Sequence, residues 1–195
     1  MVLTAIQQQR RVRIVLAALD LAADGYDAIH MRTVADRAGV AASTVYQYFS
    51  SKDDLLLSCL HHWLAEHAVM AEPSQGGAAD PYQQLLELIR RITEDLCVMP
   101  HLADAVARAY LYADGAASTN AALVRSALSQ MFTDAIEAKP HTTHHQHVGE
   151  LITDVWAANL LATVHRRLSV DDLLRRLECA IVAIMRQEVR AGNRH

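Results

Sequence analysis

Ser43, Thr44, Tyr46, Gln47 and Tyr48 stand close together in the stretch AGVAASTVYQYFSSKDDLL, which runs from Ala38 to Leu56. Their chemistry is hydrogen bonding by short or planar groups, of the kind that suits phosphate oxygens and base edges in a major groove. Aromatic residues make up 5% of the chain, yet Tyr46, Tyr48 and Phe49 crowd into this one polar segment. A second cluster, His141, His144, His145 and His147, lies in HTTHHQH. His141 and His145 have a spacing that holds a metal on one helical face. No carboxylate or cysteine completes that set nearby, and Pro140 marks a loop, so an exposed connection without metal is the expectation. A metal-dependent enzyme built on His141–His147 is the rival reading. There is no nucleophile motif, no phosphate-cradling glycine loop and no convincing carboxylate pair. The chain therefore reads as a non-enzyme with no cofactor. Cys59, Cys97 and Cys179 are odd in number and set among helix-periodic apolar residues, which predicts buried thiols in a reducing cytoplasm.

The elements that position these groups read as helices throughout. Apolar residues recur at a 3.6-residue period, with no sustained alternation of the strand type. Val12, Val15, Leu16 and Leu19 mark a first helix stopped near Gly25, and a short second helix through MRTVADRAG ends at Gly39. The third is STVYQYF. Ser51 with Asp54 three residues on opens a long fourth helix that faces inward through Leu56, Cys59, Leu60 and Trp63. A Pro- and Gly-containing linker spans 72–81. A fifth helix follows through Leu85–Leu96 and breaks at Pro100. The sixth runs from about Leu102 to Ala113, and the seventh carries Val124, Leu128, Met131, Phe132 and Ala135. Two final helices cover roughly 148–167 and 170–190. The class is all-α, with a small N-terminal three-helix unit and a larger helical body. The 195 residues suffice for such an arrangement. No apolar run approaches the ~18 residues of a membrane span, and MVLTAIQQQRRVRIVL lacks the features of a signal peptide.

Two short helices joined by AGVA have the form of a helix-turn-helix, with a glycine in the turn. Val45 and Phe49, four apart, face inward against Ala35 and Ala38. That leaves Ser43, Thr44, Gln47 and Tyr48 outside, with Tyr46 beside them and Lys52 one turn beyond to add a charge. Unpaired amides at the start of the third helix favour an anion. A helical hairpin with a merely solvated polar face has the same pattern. The net charge of −4 decides nothing, since acidic and basic residues balance over the first sixty positions.

The segment GYDAIHMRTVADRAGVAASTVYQYFSSKDDLL, Gly25 to Leu56, resembles the DNA-binding segment of the TetR family of bacterial transcriptional regulators. The resemblance implies that Arg32 and Thr33 on the second helix, Thr44, Tyr46 and Tyr48 on the third, and Lys52 contact DNA. Ser43 and Gln47 join them from the residue reading. Ala41 stands where the family often has a capping serine, which predicts that Ser43 caps a helix starting two residues later. The implied division is a helix-turn-helix domain over 1–50 and a ligand-binding and dimerisation domain over 51–195, connected by the fourth helix, 51–71. The implied partners are a palindromic double-stranded operator, a second copy of the chain and a small hydrophobic inducer.

Further along, RAYLYADGAAS and ITDVWAANLLATVHRR resemble sterol-catabolism repressors of the same family, which implies an acyl-CoA type of inducer. A drug or fatty acyl chain is the alternative. Met99, Leu102, Val106 and Tyr110 form one stripe of the sixth helix. Met131, Phe132 and Trp156 could complete an apolar cavity, with Asn159 as its lone polar group. Packed core gives the same stripes. Arg90, Arg91, Arg108 and Arg125 are candidate cations for a CoA head group. Leu160 and Val164 with Leu173, Leu177, Ile181 and Ile184 suit a four-helix dimer interface, though burial in the chain's own core would produce the same spacing.

Overall fold

Thr4 opens the first helix with a reciprocal cap. Its hydroxyl accepts from the Gln7 amide at 3.3 Å, and the Gln7 carboxamide oxygen accepts from the Thr4 amide at 2.8 Å. Two otherwise unpaired amides are thereby closed. The computed structural model describes residues 4–70, 81–115, 117–136 and 143–192. Among them are α1 (Ala5–Ala22), a 3-10 turn (Tyr26–Ala28), α2 (Met31–Ala38), α3 (Ala42–Tyr48), α4 (Lys52–Met70), α5 (Pro81–Val98), α6 (Pro100–Leu111), α7 (Ala117–Ala135), α8 (Thr143–Val164) and α9 (Val170–Gly192). The described residues contain no strand, as the all-α reading expects. Packing divides the chain into two units, Met1–Glu66 with Met99–Val124 and His67–Val98 with Arg125–His195. Neither unit ends at residue 50, the boundary expected from the sequence.

In the first unit α1 buries Ile14, Val15, Ala17, Ala18, Leu21 and Ala22, whereas Leu16, expected to face inward, is 48% exposed. The alanines complete a stripe that a count of large residues alone misplaces by a fraction of a turn. Gly25 does not stop α1. The helix ends at Ala22, and Gly25, at φ 103°, turns the chain into the 3-10 turn, a conformation that glycine adopts without strain. In α4 every residue from Leu55 to Leu60 is buried, so this stretch of the helix is enclosed on all sides, while His61, Ala65 and Glu66 beyond it are exposed. Cys59 lies within it with its thiol 3.6 Å from the Val15 carbonyl oxygen, and burial pushes the thiol up to about 12. Such a thiol is inert at neutral pH. Cys97 is half-buried and Cys179 exposed, so the expectation of buried thiols holds for Cys59 alone.

The second unit is built around Trp156, which is 1% exposed. Its ring meets Phe132 edge to face at 6.2 Å, and its indole N–H donates to the Thr93 hydroxyl at 2.9 Å. At Gly149 α8 lies tight against α7. A β-carbon there would fall 2.2 Å from Thr133 Oγ1 and 2.9 Å from the Ser129 carbonyl oxygen, so only glycine lets the two backbones meet. Leu173, Leu177 and Ile181 turn inward as α9 packs on α5 and α8.

Three expectations change here. Pro100 does more than end α5, because it occupies the first turn of α6, where its missing N–H is harmless. The linker read at 72–81 lies outside the described residues except for Pro81, which opens α5. His144, His145 and His147 belong to the first turns of α8 and not to a loop; His141 lies outside the described residues. Among the described residues no group of three or more His, Cys, Asp or Glu could hold a metal ion, and no helix is long and apolar enough to cross a membrane.

Candidate nucleic-acid interface

The turn between α2 and α3 is set locally. Gly39 takes the left-handed conformation at φ 64°, its amide donates to the Asp36 carbonyl at 3.2 Å, and the Val40 amide reaches back to the Ala35 carbonyl at 3.0 Å. This pair of bonds is the Schellman ending of a helix. Beyond it α3 is seated by Val45 (0% exposed) and Phe49 (1%), and Ala35 and Ala38 of the adjoining α2 are buried as well. The inward anchors are those expected from the sequence.

The residues expected to face outward do so to different degrees. Arg32, Thr33, Ser43, Tyr46 and Gln47 are exposed, while Thr44 and Tyr48 are half-buried. Tyr48 leans on Phe49, with ring centroids 6.3 Å apart. On α3, Ser43 and Gln47 are one turn apart, with Tyr46 between them, so they form one patch. Arg32 has no ion-pair partner among the described residues, which leaves its guanidinium available. Arg37 is different, since it pairs with Asp20.

Ser43 caps nothing. The helix begins at Ala42 with Ala41 as its unassisted N-cap, which puts Ser43 at the second helical position. The missing side-chain cap costs about 1 kcal/mol. With seven residues, α3 takes its orientation from Val45 and Phe49 rather than from an anion at its start.

Lys52 departs further from expectation. Its ammonium lies 3.5 Å from the centroid of the Tyr26 ring and donates to the Tyr26 carbonyl oxygen at 3.0 Å. The Tyr26 hydroxyl in turn donates to Asp53 at 2.8 Å. Burial, then the bond to Asp53, pushes the Tyr26 phenol up to about 12. In this conformation Lys52 ties the start of α4 to the turn after α1. Tyr26 and Arg11, which stacks 5.3 Å from the Phe49 centroid, carry no signal at the level of sequence. Neither sits in a local pattern that marks it.

The positions expected to hold a ligand fall in separate places. On α6, Leu102 and Val106 are buried and Tyr110 half-buried, and Met99 just before the helix is 38% exposed. In the second unit Met131 is half-buried, but Phe132 and Trp156 are packed core. Asn159 is fully engaged: its amide donates to the Val155 carbonyl at 2.7 Å, and its oxygen accepts from Arg176 at 2.7 Å. Three candidate cations are paired, Arg90 with Asp171, Arg108 with Asp104 and Arg125 with Asp154. Arg91 is exposed and carries no ion pair among the described residues. A cleft of about 600 Å³ in the first unit is lined by Asp24, Asp27, Asp53 and Asp104 with Arg108 and Tyr112, too polar for an apolar ligand.

The expected dimer residues are also largely enclosed. Leu160, Val164, Leu173, Leu177 and Ile181 are buried in the single chain, and Ile184 is half-buried. The stripe is real but faces the chain's own core. The outer sides of α8 and α9 carry a different apolar set, Leu151, Ala158, Cys179, Val182 and Ala183.

A helix-turn-helix seated on a buried α4 and followed by a helical body defines a DNA-binding regulator class. The chain belongs to the TetR family of bacterial regulatory proteins: residues 14–59 match the profile described as bacterial regulatory proteins, tetR family, and residues 78–184 that of the tetracyclin repressor-like C-terminal domain. It is 36% identical, over 90% of its length and 80% of the relative's, to the HTH-type transcriptional repressor KstR of Mycobacterium tuberculosis. A crystal structure of a TetR transcriptional regulator from Rhodococcus superposes with a TM-score of 0.81 at 27% identity, covering 91% of this chain and 96% of that one. The fold is shared as well with Thermus thermophilus FadR, solved with lauroyl-CoA, at a TM-score of 0.67 and 19% identity, over 90% and 93% of the two chains.

Proposed function

We propose that the chain is a homodimeric, cytoplasmic repressor that grips a palindromic operator and is released by an apolar acyl-CoA ligand. It acts by binding and not by catalysis. The observation that carries this is the exposed patch of Ser43, Tyr46 and Gln47 on a helix whose other side is pinned by Val45 and Phe49, with Arg32 exposed and unpaired among the described residues. Thr33, Thr44 and Tyr48 flank the patch. Lys52 joins it only by leaving Tyr26 for a phosphate. The two-fold axis of a dimer sets two such helices on half-sites about one DNA turn, ~34 Å, apart. The test is selection of duplexes from a random-sequence pool by the purified protein. Recovered sites should be inverted repeats, and lauroyl-CoA should release them. Retention of no duplex, or of unrelated sequences with equal affinity, would count against the operator reading.

The ligand class is supported by the likeness to KstR and by the lauroyl-CoA bound to the FadR relative. Met99 at the start of α6 and Tyr110 within it retain exposed surface to meet it. The regulator thus governs a lipid or sterol pathway. Release follows if the ligand favours a conformation whose α4 no longer holds α3 in the operator geometry, which depopulates the DNA-binding state.

The dimer is proposed to form through the outer sides of α8 and α9. Val182 is 40% exposed and Leu151 48%, and a like patch on a second copy would cover both. Val182→Glu should then split the dimer, since two carboxylates would be desolvated in the interface without partners. Sedimentation equilibrium should show monomers at concentrations where the native chain is dimeric. An intact Val182→Glu dimer would move the interface elsewhere.

A further inference from the structure

Asp54 is a carboxylate only 7% exposed, in the first turn of α4 just past the end of α3. A buried carboxylate needs partners, and three donors supply them. The Ser50 amide at 2.7 Å and the Ser50 hydroxyl at 3.0 Å donate to Oδ2, and the Asn120 carboxamide donates to Oδ1. The other face of the Asn120 amide nitrogen lies 3.4 Å from the Ser58 hydroxyl oxygen, which also accepts from Arg11 at 3.0 Å. Arg11 is the guanidinium stacked on Phe49. Phe49 and Ser50, the two residues that close α3, are therefore held by separate chains of contacts that meet at Asn120.

Helix initiation does not account for this arrangement. Ser51 already caps α4, accepting from the Asp54 amide at 3.1 Å. In a reciprocal cap the acidic residue would reach back to the Ser51 amide, whereas Asp54 reaches one residue further, to Ser50. An apolar side chain would fill the same space without the desolvation penalty of a charge. What the carboxylate adds is a fixed angle at the α3–α4 corner. Asn120 lies in the first turn of α7, 66 residues away in sequence, and α7 continues to Phe132 and Thr133 in the second unit.

We propose that Asp54 is a positioning residue for the DNA-reading helix, and that Asn120 is the handle by which α7 sets it. When the first turn of α7 shifts, Asn120 leaves Asp54, the hold on Ser50 loosens, and α3 loses its fixed presentation. This rests on α3 being the DNA-reading helix.

The test uses the full chain, a duplex selected from the random pool by the native protein, and hydrogen exchange at the Ser50 amide. In Asn120→Ala that amide should exchange at least tenfold faster, and affinity for the selected duplex should fall at least tenfold, while the melting temperature moves by only a few degrees. The reciprocal exchange Asp54→Asn with Asn120→Asp should recover both. In that variant the carboxamide at position 54 still accepts from Ser50 and now donates to the carboxylate at position 120. Unchanged Ser50 exchange in Asn120→Ala overturns the proposal, as does affinity that the reciprocal exchange fails to restore. If the native protein selects no duplex, the DNA reading itself fails, and the Ser50 exchange rate still decides whether Asn120 holds the corner.

Discussion

Trp156→Ala lowers the melting temperature by roughly 10 °C. The residue is 1% exposed and packs edge to face on Phe132, itself 0% exposed. Removing an indole from such a site leaves a cavity that costs about 3–5 kcal/mol, and each kcal/mol moves a domain of this size by about 2–4 °C. A second loss compounds the first. The Thr93 hydroxyl donates to the Ile89 carbonyl at 2.6 Å and accepts from the Trp156 indole at 2.9 Å. Without the indole, its accepting side is buried and unmatched. Trp156→Phe separates the two effects, because it keeps most of the volume and removes only the donor; its expected cost is about 1–3 kcal/mol. Thermal denaturation of the two variants beside the native chain measures this. A fall of only a degree or two in Trp156→Ala would mean that the indole lines open space, as a ligand-wall role requires, and does not fill packed core.

Tyr46→Ala has the opposite signature, with stability untouched and DNA binding lost. Its ring is 56% exposed, so truncation opens no cavity. A side chain that contacts a base or phosphate contributes about 1–3 kcal/mol to recognition. Two-fold symmetry counts that loss twice, so affinity for the selected duplex should fall by about thirtyfold at least and by more than about ten-thousandfold at most. Titration of labelled duplex, with a melting curve as control, gives both numbers. Native affinity in Tyr46→Ala would remove this residue from the interface. The contrast with Tyr48 is informative, because Tyr48 is half-buried against Phe49 and its truncation should reduce stability and binding together.

Sequence alone determined the parts of this protein that local chemistry controls. The apolar period gave the helices, and Gly39 gave the turn because glycine takes a left-handed conformation without strain. The four-residue spacing of Val45 and Phe49 gave the inward side of α3, and hence the outward patch. A motif in fixed order from Gly25 to Leu56 was enough to show the family. None of this needs knowledge of distant residues.

Only the tertiary structure decided which apolar stripe faces which neighbour. Leu173, Leu177 and Ile181 recur at helical spacing whether they meet a second chain or α5 and α8, since burial against either removes the same surface from water. The same ambiguity lets Phe132 and Trp156 read as a ligand wall, whereas in the fold the indole donates to Thr93, which no local pattern links to Trp156. Long polar side chains are harder still to place. Lys52 reaches DNA or Tyr26 with equal ease from its sequence position, and Asn120 meets Asp54 only because folding brings the start of α7 to the α3–α4 corner. Periodicity reports that a side is buried; the identity of what covers it is a property of the folded chain.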